Sequence, residues 1–135
     1  MINFDLSNRV AVVTGGAQGF GFAISERFIR SGAKVIIWDI DKKAAEEAIE
    51  KLNSKECFYQ LVDVTNFDEI KKSLSDIETK YGKIDIFINN AGIAGKNTTV
   101  AEYPLEEWKK VIELNLHAVF YCCKAVIPFM DKNNY

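Results

Sequence analysis

The sequence predicts an α/β fold, a doubly wound parallel sheet with helices on both faces. Three observations carry this expectation. Four short, β-rich apolar runs alternate with longer stretches whose apolar residues recur at helical spacing. The short runs are continuously apolar rather than alternating, as in strands buried on both faces of a parallel sheet. Each run also stops at Gly, Asp or Asn, residues that open turns. Right-handed crossovers then give the strand order 3-2-1-4.

Arg9–Val13 is a compact apolar run that meets Thr14-Gly15-Gly16, which reads as a buried strand entering a turn. Phe20–Ser31 has Ile24, Phe28 and Ile29 on one side and stops at Gly32, as a helix does. Lys34–Trp38 is the second strand. Lys42–Asn53 is a charged helix with Ala45, Ala48, Ile49 and Leu52 along one face. Cys57–Val62 and Phe67–Tyr81 repeat the pattern, with Ile70, Leu74 and Ile77 inward and Gly82 as the stop. Ile84–Ile88 is the fourth strand, broken by Asn89-Asn90-Ala91-Gly92. A loop over Ile93–Tyr103 passes through Pro104 into a long helix from Leu105 to Met130. No repeat or linker interrupts this order, so residues 1–135 read as one domain.

Composition narrows the function. The 135 residues carry a net charge of -2, with 48% hydrophobic and 27% charged residues, ordinary for a globular chain. Basic residues are interleaved with acids, which argues against a nucleic-acid partner. No apolar run is expected to approach the roughly 20 residues that span a bilayer, and Met1–Asp5 lacks the features of a signal peptide. The three cysteines, Cys57, Cys122 and Cys123, have no zinc spacing and are an odd number. Cys122 and Cys123 lie in an apolar stretch and read as small buried thiols, and the protein reads as cytoplasmic.

The most informative stretch is Thr14-Gly15-Gly16-Ala17-Gln18-Gly19-Phe20-Gly21, placed between a strand and a helix. Glycines there permit positive φ and close approach of a ligand, and the helix start offers unpaired amides and partial positive charge to a diphosphate. A nucleoside-triphosphate loop would end in Gly-Lys-Ser/Thr, whereas Phe22-Ala23 follows here. G-x-G-x-x-G does not match either, because Ile24 stands at the last small position. A glycine turn made for packing alone is the plain alternative.

Asp39 closes the second strand about 20 residues beyond that loop, where a carboxylate can accept hydrogen bonds from ribose hydroxyls. Its charge would repel a 2′-phosphate, so NAD is favoured over NADP. The competing role, capping the next helix, falls more naturally to Asp41. Asp63-Val64 and Asn90 close the third and fourth strands, on the same carboxyl edge.

The spacing T-G-x-x-x-G-x-G, together with Asp39, Asp63-Val64 and Asn89-Asn90-Ala91-Gly92, resembles the short-chain dehydrogenase/reductase family, whose fold is Rossmann-like. The resemblance runs the length of the chain and is similar to the N-terminal half of 3-oxoacyl carrier-protein reductases and sugar or polyol dehydrogenases. Carried over residue by residue, it implies a cofactor-binding set of Gly15, Gln18, Gly19, Phe20, Gly21, Asp39, Asp63, Val64, Asn90, Ala91 and Gly92. Within that set the Asp-Val pair would meet the adenine, and the Asn-Asn-Ala-Gly segment would border the ribose. Asn115 matches a helix asparagine that the family counts as catalytic, where it holds a water leading to a lysine. A purely structural bend at Asn115 is the alternative.

The family's proton donor is the tyrosine of Tyr-x-x-x-Lys, and no tyrosine here begins that pattern. By resemblance the serine and tyrosine would follow Tyr135, so the chain reads as ending before the fifth strand and as inactive alone. The resemblance also implies an alcohol or carbonyl substrate and self-association through the Leu105–Met130 helix. Two other classes are weighed against this reading. One is a non-catalytic dinucleotide-binding or dimerising fragment. The other is an S-adenosylmethionine methyltransferase, which Asn89-Asn90-Ala91-Gly92 and the loop spacing disfavour.

Overall fold

Val10–Thr14 (β1) is buried at all five positions in the computed structural model, which describes residues 4–135. It pairs in parallel with Lys34–Asp39 (β2) on one side and Ile86–Ile88 (β4) on the other, and Cys57–Leu61 (β3) pairs with β2. The four strands lie in the order β3-β2-β1-β4. That is the order expected from right-handed crossovers.

Successive side chains of a strand point to opposite faces, and the two faces bury different sets. Val12, Ile36 and Trp38 face one core with Ile70, Leu74 and Ile77 of Phe67–Tyr81 (α3). Val13, Val35 and Ile37 face the other with Ala44, Ala45 and Ala48 of Lys42–Leu52 (α2) and the partly buried Ile24 and Phe28 of Gly19–Arg30 (α1). Each fully buried Val, Leu or Ile contributes about 1.5–3 kcal/mol, so both faces hold the sheet.

The helix ends follow their sequence signals. Asp41 accepts the Ala44 amide at the start of α2, as its capping assignment requires, and Asn66 accepts those of Asp68 and Glu69 at the start of α3. Gly82, at φ 77°, closes α3 in the left-handed region that glycine alone enters at no cost. No side chain caps α1, which starts after Gln18.

Two elements differ from expectation. The paired part of the fourth strand is Ile86–Ile88 rather than Ile84–Ile88. Ile84 is fully buried, but at the next position the Asp85 side chain accepts the Val10 amide at 2.8 Å, in place of a backbone carbonyl. The long helix is also not uniform. Leu105–Ile112 (α4) passes through a π-helical turn at Glu113–His117 into Ala118–Asp131 (α5).

Leu105–Asp131 is long and apolar enough to cross a bilayer by length and composition, which corrects the expectation that no apolar run comes near that size. Ala118, Cys122, Ala125 and Val126 of this helix instead join the core beside α3. Val126 of the long helix faces inward, whereas Trp108, Leu116 and Phe120 are exposed.

Candidate active-site cleft

All four strands of a parallel sheet end on one edge, and the residues that follow them converge there. A cleft of about 720 Å³ opens at that edge, lined by Gly15, Gln18 and Gly19 after β1, Asp39 at the end of β2, Asp63 and Val64 after β3, and Asn90, Ala91 and Gly92 after β4. Nine of the residues expected from the sequence are therefore brought together. Phe20, Gly21 and Asn115 are not among the lining residues.

Gly15 and Gly19 sit at φ 58° and 54°, so a side chain at either would be strained. Beside Gly19 no atom lies within 4 Å of where a Cβ would stand, leaving the mouth of the loop open. With no acid in the first turn of α1 and no capping side chain, the amides at its start face the cleft unneutralised. Gly21 serves packing: a Cβ there would lie 2.6 Å from the Asn90 Nδ2 and collide with the Gly15 carbonyl. Phe20, on the same turn, is 85% exposed.

A polar clasp joins the loop to the fourth strand. The Thr14 hydroxyl donates to the Ile88 carbonyl at 3.2 Å and accepts the amides of Asn90 and Ala91, both at 3.0 Å. The Asn90 Nδ2 donates to the carbonyls of Thr14 and Gly15 at 3.0 and 3.1 Å. Asn90 thus shapes the cleft floor through the backbone of the glycine loop.

The Asp39 carboxylate accepts the Ala17 amide at 3.2 Å on one oxygen and the Asp41 amide at 3.1 Å on the other. A carboxylate has about four acceptor sites, so two remain for a ligand. Asp63 uses one oxygen for the Thr65 amide and hydroxyl, at 2.9 and 2.7 Å. Asn115 lies outside the cleft, on the π-helical turn. Its Oδ1 accepts the Ile93 amide at 2.9 Å and its Nδ2 donates to the Ile93 carbonyl at 2.8 Å, pinning the chain just past Gly92.

Sequence reasoning missed Trp38, Ile40, Val62, Thr65, Ile93, Lys110, Glu113 and Leu114, which also line the cleft. Trp38, Ile40 and Thr65 are neighbours of residues singled out, so adjacency was a usable signal. Lys110, Glu113 and Leu114 arrive from a distant helix, and nothing in their local pattern announces it. Among the described residues no group of His, Cys, Asp or Glu is placed to hold a metal. Cys122 is buried as expected and so is Cys57, and burial pushes the pKa of both up to about 12, whereas Cys123, also expected to be buried, is only partly so.

The model of the short chain dehydrogenase family matches residues 9–135. The chain belongs to that family. Relatives within it include a 3-oxoacyl-[acyl-carrier-protein] reductase of Chlamydia muridarum, 37% identical over 97% of this chain and 54% of its own length. A probable NADP-dependent mannitol dehydrogenase of Yarrowia lipolytica is 37% identical over 100% of this chain and 50% of its own length. Among solved structures, a xylitol dehydrogenase with bound NAD+ superimposes with a TM-score of 0.92 at 29% identity, covering 96% of this chain and 51% of that one. This short-chain dehydrogenase chain thus spans about half the length of the relatives it matches, and those relatives differ in the cofactor their names carry.

Proposed function

We propose that this chain forms the dinucleotide-binding half of a nicotinamide-dependent oxidoreductase acting on a small alcohol/carbonyl pair, with NAD preferred to NADP. The observation that carries the reading is the Asp39 carboxylate, which shares one cleft with the uncapped start of α1. The residues present fit such a group. The glycine loop is open where a Cβ would stand beside Gly19, its amides suit an anion, and Asp39 keeps two acceptor sites for ribose hydroxyls.

A bound nicotinamide dinucleotide supplies the hydride acceptor or donor. The chain's own residues bind and orient it. Amides at the start of α1 take the diphosphate, and Gln18 flanks them. Asp39 takes the adenosine ribose and disfavours a 2′-phosphate by like-charge repulsion. Asp63 and Val64 border the adenine. Asn90, Ala91 and Gly92 form the floor, with Asn90 and Thr14 holding the loop against β4. Asn115 is read as a positioning residue, because both polar atoms of its side chain are engaged with Ile93. Self-association through the exposed side of Leu105–Asp131, which carries Trp108, Leu116 and Phe120, completes the reading, in a cytoplasmic setting.

Titration calorimetry of the chain with NAD+, NADP+ and S-adenosylmethionine tests it. Saturable binding of NAD+, at least about tenfold tighter than NADP+, is expected, because Asp39 accepts a charge-assisted hydrogen bond from the ribose of one and repels the 2′-phosphate of the other. Equal affinity for the two dinucleotides would remove the role given to Asp39. Preference for S-adenosylmethionine would remove the function.

A further inference from the structure

The opposite edge of the sheet, where the strands begin, holds a second cavity of about 610 Å³. Arg9 precedes β1, Lys34 opens β2, Lys80 comes from the last turn of α3 and Lys83 precedes β4, and all four line it. Only two acids answer them among the described residues. Asp85, with a side chain 1% exposed, pairs with both Arg9 and Lys83 at 3.3 and 3.2 Å. Glu56 pairs with Lys34 at 3.3 Å. The Lys80 ammonium has no carboxylate partner among the described residues and lies 4.6 Å from the ring centre of Phe58 and 5.2 Å from that of Tyr81.

Four cations against two anions leave two positive charges. The carbonyl ends of α1 and α3 also face this edge and offset roughly half a charge each, so about one positive charge stays uncompensated. Three of the cations are partly shielded, the side chains of Arg9, Lys34 and Lys83 being 34%, 32% and 32% exposed, while Lys80 stands exposed at the rim. Partly desolvated like charges repel more strongly than solvated ones, and an anion in the cavity would relieve that repulsion through charge-assisted hydrogen bonds.

We infer that this cavity, on the sheet edge remote from Asp39, binds a small phosphate-class oxyanion between Lys34, Lys80 and Lys83. The site is separate from the dinucleotide cleft and does not depend on the function proposed for it.

Two-dimensional amide NMR of the chain, titrated with inorganic phosphate against sodium chloride at matched ionic strength, tests this. Saturating shifts at Arg9, Lys34, Tyr81 and Lys83 are expected with phosphate only. Lys80→Gln should weaken binding by about tenfold, while Lys72→Gln, on the exposed side of α3, should leave it unchanged. Lys83→Gln carries the same expectation as Lys80→Gln, so a folding failure in one variant leaves the other to decide. Glycerol phosphate serves as a second probe: tighter binding than inorganic phosphate assigns an esterified ligand, and equal binding assigns the free ion. Shifts reproduced by chloride, shifts confined to Gly15–Gly21, or binding indifferent to both substitutions would overturn the site. So would capture of a glutamate oligomer without any response to phosphate.

Discussion

The Asp39 carboxylate holds the Ala17 and Asp41 amides, so truncating it loosens the glycine loop as well as removing the ribose acceptor. Asp39→Asn removes the charge but keeps a single acceptor oxygen, so one of the two amides loses its partner. We expect Asp39→Asn to narrow the NAD+/NADP+ difference in calorimetry and to melt between the parent and Asp39→Ala. Asp39→Ala should weaken NAD+ binding by roughly 10–100-fold. The glycines divide in the same way. Gly21→Ala places a Cβ against the Asn90 Nδ2 and the Gly15 carbonyl, an overpacking that costs about 1–3 kcal/mol. Gly19→Ala meets no atom and costs only the backbone strain of a positive φ, roughly 1–2 kcal/mol. Denaturant unfolding should therefore rank Gly21→Ala as the more damaging change, and the reverse order would contradict the packing role of Gly21. The buried thiols Cys57 and Cys122 remain protonated in the folded chain to about pH 12, whereas in the unfolded chain they ionise near 9.0. The unfolded state thus holds fewer protons between these values, so stability should fall as pH rises through that window. A denaturant midpoint flat from about pH 8.5 to 11 would count against their burial.

At the scale of elements, strands and helices were legible because each obeys its own period. Val12 and Val13, or Ile36 and Ile37, go to opposite faces, while Ile70, Leu74 and Ile77 stay on one. Asp41 announced the start of α2 through capping chemistry that is local in sequence, and Asn66 caps α3 by the same chemistry without having been singled out. What could not be read depends on contacts between distant residues. The π-helical turn at Glu113–His117 has no signature in its composition; it coincides with the Asn115 clasp on Ile93, a pairing 22 residues apart. The shortening of β4 depends on Asp85 reaching Val10, 75 residues away. Lys110 of α4 and Glu113 of the π-helical turn reach the cleft from a part of the chain remote from the ends of β1, β2 and β3. Asn115→Ala removes both hydrogen bonds to Ile93. Faster amide exchange at Ile93 is expected, with a loss of about 0.5–1.5 kcal/mol in stability for each exposed hydrogen bond removed. Unchanged exchange in that segment would show that the clasp does not hold the loop.

For the whole molecule, the sheet separates two edges with different chemistry. The carboxyl edge gathers an open glycine loop and acids; the amino edge gathers Arg9, Lys34, Lys80 and Lys83. The helical layer beyond α3 leaves Trp108, Leu116, Phe120 and Ile127 more than half exposed, an apolar surface larger than single scattered residues require. Sedimentation of the chain should show concentration-dependent association, reduced by Leu116→Glu with Phe120→Glu; a monodisperse monomer at all concentrations would contradict the association. The central claim is that a dinucleotide lies across the carboxyl edge, and a crystal structure of the chain grown with NAD+ tests it most directly. The expected density places the diphosphate on the amides at the start of α1 and both adenosine ribose hydroxyls on the Asp39 carboxylate. Density for NAD+ elsewhere on the chain, or a ribose turned away from Asp39, would contradict it.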